Sequence, residues 1–191
     1  MASDIEDNLL IGKANSFMQA NVIISEPKSI GDVMNNVAIR ITQRVLFQID
    51  IQNVIDTGLL RQSVKMPVKL FGDTFVAELI MIDYYDRVNK GVSGYRIDRP
   101  STPYKYGLNT VFPSVQDLQG WADRHRINVF ALRKSMFRKG TKGNRFFDRA
   151  MDDIITGDIN RKFLSELEQV GTKQIINGLN EVFVASGATL N

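Results

Sequence analysis

From Ser29 onward, apolar side chains recur at the spacing of one helical face. Val33, Val37, Ile41 and Val45 form its centre, with Ile30, Met34, Leu46 and Ile49 on the flank. The pattern predicts one long helix running to about Val54. Glu26-Pro27-Lys28-Ser29 is the turn that introduces it, with Ser29 as N-cap and Asp32 three residues on, where a negative charge suits the positive helix end. Ahead of this lies an acidic amphipathic start carrying Ile5, Leu9, Leu10 and Phe17. Behind it, in 55–63, Asp56 or Thr57 is placed to cap a short helical turn. The period then changes to two. Val64, Met66, Val68 and Leu70 alternate with Lys65, Pro67 and Lys69, which predicts a strand with one wet face, and Pro67 assigns it to an edge or a bulge. Gly72-Asp73 turns the chain. Phe75 to Ile82, apolar on nearly both faces, is expected to return as a strand inside the sheet.

The second half is helical again. Gly91 to Pro113 holds three glycines and three prolines and reads as a long irregular loop, of the kind that is usually functional or mobile. Ser114 caps a helix in which Val115, Leu118, Trp121, Ala122 and His125 share a face, with Asp117 in its first turn. Another helix runs from about Val129 to Lys139 and stops at Gly140. Phe146-Phe147 opens an apolar set with Ala150, Met151, Ile154 and Ile155. Ile159, Phe163, Leu167 and Val170, then Ile175, Leu179 and Val182, carry a helical stripe across Gly171 to a flexible end. The expected fold class is α+β, a small antiparallel β-sheet packed with a long N-terminal helix and several C-terminal helices. Three regions are expected: an N-terminal extension over 1–28, an α+β core over 29–155 with the inserted loop 91–113, and a C-terminal helical extension over 156–191.

Composition narrows the chemistry more than the fold. The 191 residues include no cysteine and one histidine, which excludes disulfides, thiolate catalysis, cysteine-ligated clusters and any multi-histidine metal site. No apolar run approaches the ~20 residues of a membrane span, and an N-terminus with Asp4, Glu6 and Asp7 does not resemble a basic secretion signal. The expectation is a soluble protein made in a cytoplasm.

The formal net charge is only +3, but its distribution is uneven. Residues 87–145 carry thirteen Lys/Arg against three Asp/Glu, net +10; residues 1–36 and 146–191 are each net −3. Such a basic middle suits a phosphate backbone, an acidic protein partner, including the acidic ends of a neighbouring copy, or simply a solvated face. Within it, Arg138-Lys139-Gly140-Thr141-Lys142-Gly143-Asn144-Arg145 places two glycines among four basic residues, a composition able to bring backbone amides to an anion and one with the GxxG spacing of KH modules. Gly140 as a helix cap explains the same residues structurally. Tyr95, Tyr104 and Tyr106 interleave with Arg96, Arg99 and Lys105, which suits base stacking and, more commonly, a protein interface. Catalysis has little to work with. Asp83 with Asp86 and Asp152 with Asp153 are the carboxylate groupings, and no nucleophile elbow, phosphate-binding loop or metal-binding helix accompanies them. His125 is expected to pack or hydrogen-bond beside Trp121 rather than act as a base. A hydrolase using Asp83, Asp86 and a recruited metal is the remotest alternative.

Taken in order, the long helix, Thr57-Gly58-x-Leu60-Arg61-x-Ser63-Val64 entering the hairpin, Tyr84-Tyr85-Asp86-Arg87-Val88-Asn89-Lys90-Gly91, the helix with Trp121, and Ser135-Met136-Phe137-Arg138-Lys139-Gly140-Thr141-Lys142-Gly143 leading to Phe146-Phe147 resemble the tailed-bacteriophage minor tail, tail-completion or head-tail joining proteins over roughly 33–155. The resemblance implies a non-enzymatic virion protein, synthesised in the bacterial cytoplasm and built into the neck or tail. It implies a homo-oligomeric ring, six- or twelve-fold, touching portal, adaptor or tail-tube proteins, with no cofactor, metal or membrane. Arg124, Arg126, Arg133, Lys134, Arg138, Lys139, Lys142 and Arg145 are then expected to face neighbouring subunits or DNA in the channel, and Tyr95, Arg96, Arg99, Tyr104 and Tyr106 to form a loop interface. The alternative is a nucleic-acid-binding module built on the Gly140–Gly143 loop.

Overall fold

The computed structural model describes residues 24, 26–52 and 58–185. Its element order is α1 (Ile30–Ile51), α2 (Leu59–Ser63), β1 (Val68–Phe71), β2 (Thr74–Ala77), α3 (Tyr85–Lys90), β3 (Gly91–Ser93), α4 (Val115–Arg124), α5 (Val129–Lys139), β4 (Gly140–Lys142), α6 (Phe146–Thr156) and α7 (Asp158–Ala185). The class is α+β. The acidic start, the Asp56 or Thr57 cap and the flexible end fall outside the described residues.

Contacts divide the chain into two units. The first comprises residues up to Phe47, Lys65–Ile80 and Ala150 onward. Its frame is α1, opened as the pattern requires: the Asp32 N–H donates to Ser29 Oγ at 3.1 Å, and Ser29 N–H donates back to Asp32 Oδ2 at 3.0 Å. Val33, Ala38 and Val45 of α1 are buried with Ala150 of α6 and Val170 of α7. Two ion pairs tie these helices together, Arg40 with Glu166 on α7 and Arg44 with Asp153 on α6. The Arg40 guanidinium engages both carboxylate oxygens, the planar fork-to-fork pairing in which arginine is strongest.

In the same unit β1 pairs antiparallel with β2, Val68 opposite Ala77 and Phe71 opposite Thr74 across Gly72-Asp73. The hairpin is where expected but smaller. Beyond it, Lys65 and Ile80 form only an isolated bridge, and Pro67 stays outside β1, its carbonyl accepting from Glu78 N–H. The segment from Phe75 does not lie inside a sheet: two strands bury one side at most, so Leu70, Phe71, Val76 and Ile80 remain 42–62% exposed.

The second unit comprises Gln48–Val64 and Met81–Arg149. Ile49, Leu60, Val64, Val92, Tyr106, Ala122, Val129 and Phe146 form its core. Short helix α2 starts at Gly58 in the left-handed region, with no side-chain cap. Helix α4 begins at Ser114 in a full capping box with Asp117, and α5 begins at Asn128, whose side chain accepts from the Phe130 and Ala131 N–H groups. The stretch 91–113 is not wholly irregular. It opens with β3, which pairs antiparallel with β4, so that Val92 faces Thr141 and Ser93 faces Gly140. Ser93 N–H also donates to Tyr104 O, and Tyr106 N–H to Ser93 O, which lays the returning loop along β3.

Candidate functional site

The strongly basic stretch is carried by α4, α5 and β4, and the fold explains its two glycines by packing. A Cβ on Gly140 would collide with the Val92 carbonyl and the Gly94 amide, and one on Gly143 with the Asn89 carbonyl. Gly140 also has φ +73°, where side-chain-bearing residues are strained. Its N–H donates to Met136 O as the α5 cap, Asn144 N–H donates to Val88 O and Arg145 N–H to Asn89 O. The Gly140–Gly143 segment is therefore strand-paired backbone and not an open amide cradle. What closes this arrangement is Asn89, only 1% exposed. Its Oδ1 accepts from Phe147 N–H at 2.9 Å and its Nδ2 donates to Asp148 at 2.8 Å, so a residue on α3 caps the start of α6.

On the outer face of α5 the geometry is of a different kind. Tyr95 stacks on Phe137 with ring centroids 5.9 Å apart, Phe112 meets Phe137 edge-on at 5.3 Å, and the Arg133 guanidinium lies 4.7 Å over the Phe112 ring. Arg133 is fixed there because its Nε donates to Pro113 O. Phe112, Arg133 and Phe137, with Phe130 and Lys134, line an open groove of about 390 Å³. Phe130 is 67% exposed and Tyr95 71% exposed. Lys134 is shared with a second groove of about 580 Å³, into which Arg96, Arg138 and Lys139 also open. Aromatic faces framed by cations make one continuous lining for an apolar, negatively charged ligand surface.

The expected basic residues thus separate. Lys134, Arg138 and Lys139 are exposed on α5. Arg133 is half-buried against Phe112. Arg124 and Arg126 lie at the far end of α4, and Lys142 and Arg145 beyond α5, with Arg145 3.6 Å from Asp148. Of the loop set, Tyr95 and Arg96 are exposed beside the groove. Arg99 is half-buried, bonded through its backbone to Ser93 Oγ and reaching Lys139 O. Tyr106 turns inward in one copy: it is 7% exposed, packed edge-on against Phe112 at 4.9 Å, and burial raises its hydroxyl pKa. Tyr104 is also committed internally. Its hydroxyl donates to Asp86 at 2.8 Å, which raises the tyrosine pKa, and the same carboxylate accepts from Lys90 at 3.0 Å and raises that pKa. Phe112, Phe130 and Phe137 were missed from sequence as a site, because each reads singly as core.

The carboxylate groupings do not assemble. Asp86 is occupied by Tyr104 and Lys90, Asp83 is exposed, and Asp153 pairs with Arg44 while Asp152 is exposed. Among the described residues no three His, Asp or Glu side chains are grouped to hold a metal ion. His125 stacks on Trp121 at 3.9 Å with Nδ1 2.9 Å from the Trp121 carbonyl, the packing and hydrogen-bonding position expected of it, although it is exposed. No described helix is long and apolar enough to cross a membrane. Comparison with family models, curated proteins and solved structures finds no match to this chain.

Proposed function

We propose that this chain is a structural subunit of a tailed-phage particle, repeated as a ring in the head-tail connector or proximal tail, and that it works by shape and contact without catalysis. The observation that carries the reading is the large apolar surface that the described residues of one copy leave uncovered. Leu70, Phe71 and Val76 stand out on the hairpin, Leu108 and Val111 on the loop at 79% and 89% exposure, and Ile175, Leu179 and Val182 along the last turns of α7. Single exposed apolar residues are ordinary, whereas contiguous sets in one hairpin and one helix face mark surfaces that another protein covers.

The charge pattern supports the same reading. A ring needs two different complementary patches per subunit, and a middle of net +10 with ends of net −3 supplies opposite signs on one chain. The order of motifs that resembles the head-tail joining proteins is what directs the reading to a phage particle. Mass spectrometry of purified virions from the phage encoding this chain, paired with a deletion of its gene, is the test. The expected result is the chain in stoichiometric, multi-copy amount and tailless heads in the deletion. Its absence from mature particles overturns the proposal, as does turnover of a substrate by the purified chain.

A further inference from the structure

We infer that the aromatic and basic groove on α5 receives the acidic amphipathic N-terminal segment of a neighbouring copy of this chain. The inference rests on the ring reading for the source of that copy, and it names the contact that joins one subunit to the next.

The groove has an apolar floor and a cationic rim. Phe112, Phe130 and Phe137 supply the floor, with Phe130 two-thirds exposed and available as an anchor; Lys134 stands at the junction of the two grooves, with Arg138 and Lys139 along the second. A purely apolar ligand would leave that rim without counter-charge, and a purely acidic one would leave the aromatic rings in water. The fitting ligand alternates short apolar side chains with carboxylates.

The first ten residues have that composition. Met1-Ala2-Ser3-Asp4-Ile5-Glu6-Asp7-Asn8-Leu9-Leu10 carries three carboxylates and no Lys or Arg, with Ile5 and Leu9 four residues apart. Two aliphatic anchors at that spacing, with the acids around them, match the apolar floor and cationic rim in chemistry. Residues 77–86 and 150–159 also join three acids to aliphatic residues without a basic residue, but both lie within the described fold, the first running from the end of β2 into α3 and the second across α6 and α7. About nineteen residues separate Leu10 from the start of α1 at Ile30. At no more than roughly 3.3–3.6 Å per residue, a link of that length leaves the groove of an adjoining copy within reach.

The contact can be read with the full chain. Copies grown in light and heavy isotopes are mixed, allowed to assemble and treated with a zero-length carbodiimide, which joins lysine amines only to carboxylates in direct contact. The expected links run from Asp4, Glu6 or Asp7 to Lys134 or Lys139 and carry one light and one heavy peptide. Phe130→Ser leaves every lysine and carboxylate in place and alters an exposed residue, so the melting curve should not move, while these links fall at least about fivefold, the loss expected of an anchoring aromatic. Links confined to one copy, links spread over all lysines alike, or no links overturn the inference. So does tight binding of a single-stranded oligonucleotide that Phe130→Ser abolishes, which would give the groove to nucleic acid. The particle test stands apart: a chain present in virions without these links loses this contact only, and a chain with the links but absent from virions loses the phage assignment only.

Discussion

At the scale of single residues, the most constrained positions are those where backbone meets backbone. Gly140 and Gly143 let β4 lie against 89–94 at a separation no Cβ allows. Gly140→Ala should therefore cost at least about 2 kcal/mol, more than the usual glycine-to-alanine change, because it adds a collision to a strained φ. Gly178→Ala is the control. That glycine lies within α7 with nothing near its would-be Cβ, so alanine should stabilise the chain by up to about 1 kcal/mol, and urea unfolding midpoints will show the opposite signs. Asn89 is constrained by hydrogen bonding. Asn89→Ala leaves the Phe147 N–H and the Asp148 carboxylate without their partner and should cost about 2 kcal/mol in the same assay. Tyr104 and Lys90 share Asp86, and both pKa values are raised by it. A raised value in the fold means a contribution complete below the ordinary values of 10.0 and 10.5 and lost as pH rises through the folded ones. Ultraviolet difference titration should show Tyr104 ionising above the ordinary 10.0, and Asp86→Asn should abolish that part of the delay while leaving the one that burial gives Tyr106.

At the scale of elements, the helices with strong local signals were legible and the pairings made at a distance were not. Ser29 with Asp32 and Ser114 with Asp117 are capping boxes written in four consecutive residues, and both form. The hairpin across Gly72-Asp73 was readable for the same reason, its partners being adjacent. The pairing of β3 with β4 was not, since each strand is three residues long and they lie nearly fifty apart in the chain. No periodicity survives in three residues, and the glycines that permit the approach read equally well as loop. The burial of Phe75 to Ile82 was overread because an apolar run shows only that a strand could be covered, while the fold supplies just two strands there. The groove on α5 escaped for a related reason: Phe112, Phe130 and Phe137 come together only once 112–113 is held against α5 by Arg133. The capping boxes carry their own pH dependence. Hydrogen bonds to the carboxylates of Asp32 and Asp117 lower both pKa values, so their contribution is full above the ordinary 3.8 and lost as pH falls through the folded values. Ser114→Ala should cost about 1 kcal/mol at neutral pH, and Asp117→Asn should flatten the fall in melting temperature between about pH 5 and about pH 2.

At the scale of the whole molecule, α7 separates what a single copy needs from what an assembly needs. Its first half is held by the Arg40–Glu166 pair and by the burial of Val170. Beyond Gly171 the described side chains are all exposed, yet the apolar spacing continues through Ile175, Leu179 and Val182 at 52–66% exposure. Among the described residues nothing covers that stripe, and carrying it exposed invites aggregation. On the ring reading the stripe is covered by an adjoining subunit or a neighbouring virion protein. Replacing Ile175 and Leu179 together by Asp should then leave the unfolding free energy of the isolated chain within about 0.5 kcal/mol of its starting value, since surface positions away from packed contacts tolerate substitution. In the particle the same change buries two unpaired carboxylates, a cost of several kcal/mol, enough to exclude the chain from assembled virions. Denaturation of the purified variant together with its copy number in virions from complemented deletions measures both. A variant that unfolds early would place the stripe in the fold of the chain itself, and one that enters virions at normal copy number would show that no partner covers it.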